Sequence, residues 1–401
     1  MQLHATLHLL RMILLMLAIA PFGFYLLSIW SAVNFFGVRP QHYDEPFTPP
    51  VSILKPCRGL DPEAYENFAS FCRQNYPEFE ILFAVGDPKD PAVAAIEQVM
   101  RDFPAVPIRL IRSVPAAGPN GKVNKLIQLA KEARYDLLVI NDSDVRVTPD
   151  YLRKVSAPFR DPRVGAATAM YRAETNGSLG AELEAIGITS EFQVGVLLAR
   201  QMEGVKFALG ATMACTRKAL EDIGGFEALA LYHSDDYELG SRIAAKGYRV
   251  ELLRDPVILV HGPQTMRESV SRHLRAALST RHARPGGHFG RLLTFGLPWS
   301  LMAAAVAPTR WVAVLYIGTY VVLRSVTAWI VGVWGLGDRF LQKRMWLVPL
   351  RDVAGFFTWV ASFFCNQIEW RGSEFHVVEG KLVPRNLPAD VAEAEPLVPA
   401  D

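Results

Sequence analysis

Residues 136–144 read DLLVINDSD, from Asp136 through Leu137-Leu138-Val139-Ile140 to Asn141-Asp142-Ser143-Asp144. A short unbroken apolar run bounded by polar residues describes a strand buried on both faces, the kind found in a parallel sheet. It runs into two acids one residue apart, in company with Asn and Ser, which favour a turn. A strand end is rigid, and the loop after it is open to a ligand. Two carboxylates at i and i+2 there can converge on one cation, and an oxygen-rich site suits Mg²⁺ or Mn²⁺. A plain turn is the competing reading of the same residues.

Elements upstream of this strand alternate in type. Val51 to Leu54 is a short strand, Pro62 to Asn75 a helix, and Phe79 to Val85 a buried strand ending in Gly86-Asp87. Pro91 to Phe103 is a helix, Ile108 to Ile111 a strand and Asn124 to Ala133 a helix. Such alternation predicts an α/β domain with a parallel sheet covered on both faces. These sheets bind ligands beyond their C-terminal strand ends, so Asp87 shares an edge with Asp142 and Asp144. Further on, His233-Ser234-Asp235-Asp236-Tyr237-Glu238 opens a helix. Acids there either cap the helix or serve as a general base. Arg272 and Arg275 lie on an amphipathic helix starting at Met266, whose basic face suits a membrane surface.

Half of the 401 residues are apolar, and they are concentrated at the two ends. Leu7 to Val33 is long enough to cross about 30 Å of hydrocarbon and is expected to be a retained anchor rather than a cleaved leader. Leu292 to Pro308, Trp311 to Leu336 and Trp346 to Phe364 predict a membrane-embedded C-terminal region. Arg324, Arg351 and Asp352 inside it must pair or face a cavity. Arg39, Lys55 and Arg58 follow the first span and place the middle domain in the cytosol. The expected organisation is an anchor over 1–40, the α/β domain over 41–263, an interface helix over 264–290, membrane helices over 291–370 and a tail over 371–401. The end of the tail, rich in Pro, Ala and acids, reads as disordered. A net charge of +2 offers no case for nucleic acid. The four cysteines form no CxxC pair, which argues against a disulfide framework or structural zinc.

Taken in order, Asp87, Asp142-Ser143-Asp144, Asp235-Asp236-Tyr237 and Arg272-x-x-Arg275 resemble the D, D, D, (Q/R)xxRW pattern of membrane-bound family 2-like glycosyltransferases. The closest resemblance is to the ceramide glucosyltransferase group, family 21, with its bacterial hopanoid-associated relatives. VSILKPCRGLDP, NYPEFEILFAVGDPKDPA, PNGKVNKL, DSDVRVTPDYL and DDYELGSRIAAKGYR are similar to family blocks in that order. The resemblance implies a GT-A fold, Rossmann-like with a mixed, mostly parallel sheet, in a cytosolic domain joined to transmembrane helices. It implies inverting transfer of a hexose, glucose first, from a UDP-sugar to the hydroxyl of a membrane lipid such as ceramide, giving a β-glycolipid. Asp87 would hold the nucleotide, with Lys55, Lys122 and Asn124 nearby. Asp142 and Asp144 would face the diphosphate and a divalent cation, Mg²⁺ or Mn²⁺. Asp236 would be the catalytic base, with Asp235 its rival. Arg272 and Arg275 would serve the leaving diphosphate or the acceptor site.

His261, after the strand-like Val257 to Val260, is a further candidate metal ligand, with a structural histidine as the other reading. The implied partners are the UDP-sugar, the lipid acceptor and the bilayer, in a multi-pass protein of a bacterial inner membrane. The pattern departs from the family at Ala276, where the family has Trp, so the acceptor pocket differs or another aromatic fills it. Competing readings are N-acetylglucosaminyl transfer to a hopanoid polyol, a processive polysaccharide synthase, a non-catalytic sugar-nucleotide-binding protein and a two-metal phosphoryl-transfer enzyme. One span before the domain and few after it argue against the synthase, and five ordered blocks argue against phosphoryl transfer.

Overall fold

An eight-stranded sheet organises the computed structural model, which describes residues 2–38, 47–370, 373–378 and 380–384. Arg39 and the chain beyond Asn386 lie outside the described residues. The strands are β1 (Val51–Cys57), β2 (Phe79–Val85), β3 (Ile108–Arg112), β4 (Leu137–Asn141), β5 (Val145–Arg146), β6 (Val164–Thr175), β7 (Thr212–Thr216) and β8 (Arg249–His261). Their spatial order is β3-β2-β1-β4-β7-β6-β8-β5. The first four neighbours are parallel, β7 enters antiparallel between β4 and β6, and β6 and β8 run parallel. Two reversals restore direction, so β1–β4, β6 and β8 all end on one edge of the sheet. This mixed, mostly parallel sheet flanked by helices is the GT-A arrangement.

Side chains alternate across the sheet as strand geometry requires. Ile53, Ile81, Phe83 and Val139 pack on one face against Phe68 of the Ala64–Cys72 helix and Ile96 of the Ala92–Asp102 helix. Leu54, Leu82, Leu138 and Ile140 pack on the other against Leu126 of the Gly121–Glu132 helix and Leu239 of the Asp235–Ala245 helix. The Gly121–Glu132 helix begins before the predicted Asn124 because Asn120 caps it, accepting from the N–H groups of Lys122 and Val123. Strands β6 and β7 escape sequence reading. Their alanines, VGAATAMYRAET and TMACT, carry little β propensity, and the sheet itself holds them extended.

Among the described residues two helical stretches, His4–Gly37 and Arg310–Gly335, are long and apolar enough to cross a membrane. A third would count if Pro285–Thr294 and Gly296–Val306, bent by 45°, are one span. The last predicted segment forms a 3₁₀ turn, Met345–Leu347, and the 14-residue Val348–Ala361 helix, which is about 21 Å long at 1.5 Å per residue and too short to cross alone.

The charges in these helices are paired, as their position demanded. Arg324 Nη2 lies 2.7 Å from Asp352 Oδ1, and Arg324 Nε donates to Asp352 Oδ2 at 2.8 Å. Tyr320 Oη donates to the same carboxylate at 2.9 Å. Arg324 Nη1 donates to the Ser190 carbonyl at 2.9 Å, while Arg351 and Arg291 both pair with Glu191. Ser190 and Glu191 sit in a π-helical turn, Ile188–Phe192, that lies in sequence between β6 and β7. The apolar C-terminal region is thus joined to the α/β domain through ion pairs.

The boundary read at residue 371 falls inside a small antiparallel sheet of β9 (Gln367–Trp370), β10 (Ser373–Val378) and β11 (Lys381–Pro384). Phe375, Val377 and Leu382 pack on Leu278 of the Met266–Ala283 helix. The Leu382 N–H donates to the Leu231 carbonyl at 2.8 Å, and the His233 N–H donates to the Gly380 carbonyl at 3.1 Å.

Candidate active site

Asp142 follows β4 at the common strand edge. Beneath it lies Lys55 of β1, fully buried, with Nζ donating to the Asp142 carbonyl at 3.0 Å. That ammonium stands 3.8 Å from the centre of the Phe71 ring. Burial lowers Lys55 to about 8, opposed by the charges of Cys57, Asp142, Asp144 and Asp61. The sequence reading puts Lys55 at the nucleotide, but the structure puts it under the loop, where Phe68 and Phe71 close around it. Lys122 is the cation that faces the acids. Its Nζ lies 2.8 Å from Asp142 Oδ1 and 3.5 Å from Asp235 Oδ2. Burial alone would lower its pKa, but Asp142, Asp235 and Asp236 reverse that and hold it well above the ordinary lysine value.

Asp235 and Asp236 open the Asp235–Ala245 helix. Asn120 ties that helix start to its own, donating to the Tyr232 carbonyl at 2.8 Å and to Asp235 Oδ1 at 3.4 Å. Asp236 and Asp142 meet over Gly210. A Cβ at residue 210 would lie 3.1 Å from Asp236 Oδ2 and 3.6 Å from Asp142 Oδ2. Burial, then the neighbouring Asp235 charge, pushes Asp236 up to about 6, with Lys122 opposing. The helix seats through Gly240, where a Cβ would fall 2.2 Å from the Phe207 carbonyl carbon. Backbone cannot yield there, so Gly240→Ala is expected to destabilise the fold by about 3 kcal/mol, read as a lower thermal midpoint in detergent. An unchanged midpoint would remove the argument that this contact seats the Asp236 helix.

At the β2 end, Asp87 is exposed and accepts from the Lys89 N–H at 2.8 Å. Asn124 shapes the nearby loop: its carboxamide oxygen accepts from Ala117 and Gly118, and its nitrogen donates back to Gly118. At the β8 end, the Asp144 carbonyl accepts from the Val260 N–H at 2.9 Å. His261 closes β8, 7 % exposed, with its Nδ1 unpartnered. Burial lowers its pKa, and the charges it feels are those of Glu184, Arg272 and Asp61. Among the described residues no three His, Cys, Asp or Glu side chains converge as a metal-binding group. The backbone contact between Val260 and Asp144 brings the end of β8 to the acid loop.

The two arginines diverge. Arg272 Nε lies 3.4 Å from Glu184 Oε1. Arg275 stands near His233, which burial and then the Arg275 charge depress to about 4. Ser234 and Ser279 hydroxyls share a hydrogen bond that fastens the arginine helix to the start of the Asp236 helix.

Sequence reading missed Asn120, Gly210, Glu184 and Tyr171. Asn120 carried a usable signal, a capping side chain just before a helix. Tyr171 carried none, since a register irregularity between Ala169 and Tyr171 sets its direction. Burial raises its phenol far above the ordinary value, and the charges of Asp236, Asp142, Asp144 and Glu184 add to that.

A family model described as Glycosyl transferase family 21 matches residues 13–383. The chain belongs to that family. Within curated sequences it is 24 % identical over 228 residues to ceramide glucosyltransferase 1 of Caenorhabditis elegans, covering 56 % of this chain and 49 % of that one. It is 25 % identical over 240 residues to ceramide glucosyltransferase 3 of the same organism, covering 59 % and 52 %. The chain thus spans about half the length of these relatives. In fold it is similar to a mannosyltransferase from Pyrobaculum calidifontis solved in complex with GDP-Man and Mn²⁺, with a TM-score of 0.53 and 20 % identity, covering 88 % of this chain and 99 % of that one.

Proposed function

We propose that this family 21 chain moves a hexose, glucose first, from a UDP-sugar to the hydroxyl of a membrane lipid such as ceramide, with inversion. The observation that carries the proposal is the meeting of Asp142 and Asp236 over Gly210, beside Lys122, at the C-terminal edge of the sheet. The acceptor oxygen attacks the anomeric carbon, and the bond to the diphosphate breaks with its electron pair leaving on UDP. The acceptor proton passes to Asp236, whose raised pKa suits a base working near neutrality. One displacement turns an α-linked donor into a β-glycoside. Lys122 stands where charge grows on the leaving group, and such electrostatic stabilisation is usually the largest catalytic contribution.

The donor set fits a hard divalent ion. The protein offers carboxylate oxygens of Asp142 and Asp236 close to the bare Cα of Gly210, and Mg²⁺ or Mn²⁺ commonly takes one or two carboxylates and completes its shell with phosphate and water. Asp142 would hold it, and its chemistry is to neutralise the departing diphosphate. Asp87 serves the nucleotide, with Asn124 shaping the adjoining loop. Arg272 and Arg275 serve the leaving group and acceptor side. A lipid acceptor cannot leave the bilayer cheaply, at about 0.8 kcal/mol per buried CH₂, so the reaction belongs at the interface.

Mass spectrometry of lipids from cells producing the chain, compared with cells producing Asp236→Asn, tests the reading. A hexosylated lipid present only with the former supports it, and identical lipid profiles overturn it. A pH profile tests the base. Asp236 must be ionised to accept a proton, so kcat/KM should fall about tenfold per unit as pH drops below about 6. An acid limb at the ordinary carboxylate value, near 4, would assign the proton elsewhere.

A further inference from the structure

Beyond the acids, the same strand edge carries a second concavity that the proposed chemistry does not use. It has a volume of about 260 Å³ and is lined by Glu63, Arg146, Glu174, Thr175, His261 and Phe340, among others. Thr175 and His261 face each other as the final register pair of β6 and β8. Each contributes a buried polar atom, Oγ1 and Nδ1, that has no hydrogen-bond partner. Orphaned buried polar groups cost about 1–3 kcal/mol each, so two of them lining one cavity point to an occupant that satisfies them.

The walls define that occupant. Arg146 is neutralised by Glu63 at 2.7 Å, and Glu174 by Arg172 at 3.0 Å. Among the described lining residues the arginine is already paired, and two carboxylates repel a phosphate. A neutral group bearing hydroxyl or amide hydrogen bonds matches Thr175, His261 and Asn176. Val260 and Phe340 supply the smaller, apolar part of the lining. Phe340 packs against a cluster that includes Leu183, Ala328 and Val348, and Ala328 belongs to the Arg310–Gly335 stretch that is long enough to span a membrane. A lipid has both characters, a polar neutral head and a greasy body. The cavity also stands on the far side of the acids from Asp87, since the strands ending at Asp87, Asp142 and His261 follow one another along the edge.

We propose that the Thr175–His261 cavity seats the neutral, hydroxyl-bearing head of the lipid acceptor. The assignment rests on the proposed lipid glycosylation for the word acceptor, but not for the binding itself. Binding is measured without turnover, on the full chain in detergent micelles, using short-chain ceramide as the probe and UDP as the control. His261→Phe fills the cavity, and Thr175→Val removes one hydroxyl. The expected result is about tenfold weaker ceramide binding in His261→Phe and about threefold weaker in Thr175→Val, with UDP affinity unchanged. Retained UDP affinity also reports that both variants fold. Unchanged ceramide affinity in both variants, or no ceramide binding by the parent protein, overturns the proposal. So does UDP affinity that falls alongside, which would put His261 on the donor or its cation. A parent protein that binds ceramide through this cavity but releases no UDP from UDP-glucose would sink the proposed reaction and leave the cavity assignment standing.

Discussion

Asp236→Asn is expected to lower kcat for sugar transfer by about 10²–10⁴-fold while leaving UDP-sugar affinity within a few-fold. Asn keeps the shape of the side chain and can still accept from the Tyr237 N–H, now 2.8 Å from Asp236 Oδ1. What it loses is the basic oxygen facing Asp142 across Gly210. Single-turnover assays with UDP-glucose and ceramide, beside UDP titrations, separate the two quantities. The neighbouring acid supplies the control. Asp235 is buried and held by Asn120 and Lys122, an arrangement that positions rather than exchanges protons. If Asp235→Asn abolishes transfer and Asp236→Asn keeps it, the base has been assigned to the wrong member of the pair.

Asp352→Ala is expected to destabilise the protein by about 3–5 kcal/mol, because it strands a buried Arg324. Removing one partner of a buried pair leaves a desolvated charge, whereas replacing both with apolar residues is often close to neutral. The double variant Arg324→Met, Asp352→Leu should therefore recover most of the loss. Thermal unfolding in detergent, followed by tryptophan fluorescence, reads both. A single variant as stable as the parent would mean that water reaches Arg324. Arg324 also holds the Ser190 carbonyl, so the single variant should loosen the π-helical turn that carries Glu191.

What could be read from sequence divides along a physical line. Strands β1, β2 and β4 were legible because each is a buried apolar run, and so was the position of the acids that follow β2 and β4 at an open edge. The alanine strands β6 and β7 were not, and with them went the order of the sheet that brings Asp142 and Asp236 together. Gly210 records that meeting but has no local signature. That Lys55, assigned near the nucleotide by resemblance alone, would have its ammonium under the acid loop beside Phe68 and Phe71 was not legible either. The requirement that Arg324, Arg351 and Asp352 be paired was legible from hydropathy alone. That Ser190 and Glu191 of the other region would supply part of the pairing was not, since nothing in a single sequence marks a contact across that distance.

The small sheet at 367–384 adds a consequence of timing. It grips Leu231 and His233, a few residues ahead of the acid pair, yet the ribosome makes it only after every apolar helix. A nascent polypeptide can thus insert and fold its eight central strands while the stretch leading to Asp236 still lacks its last fastening. The contacts that fasten Leu231 and His233 are thus among the last to become available during synthesis.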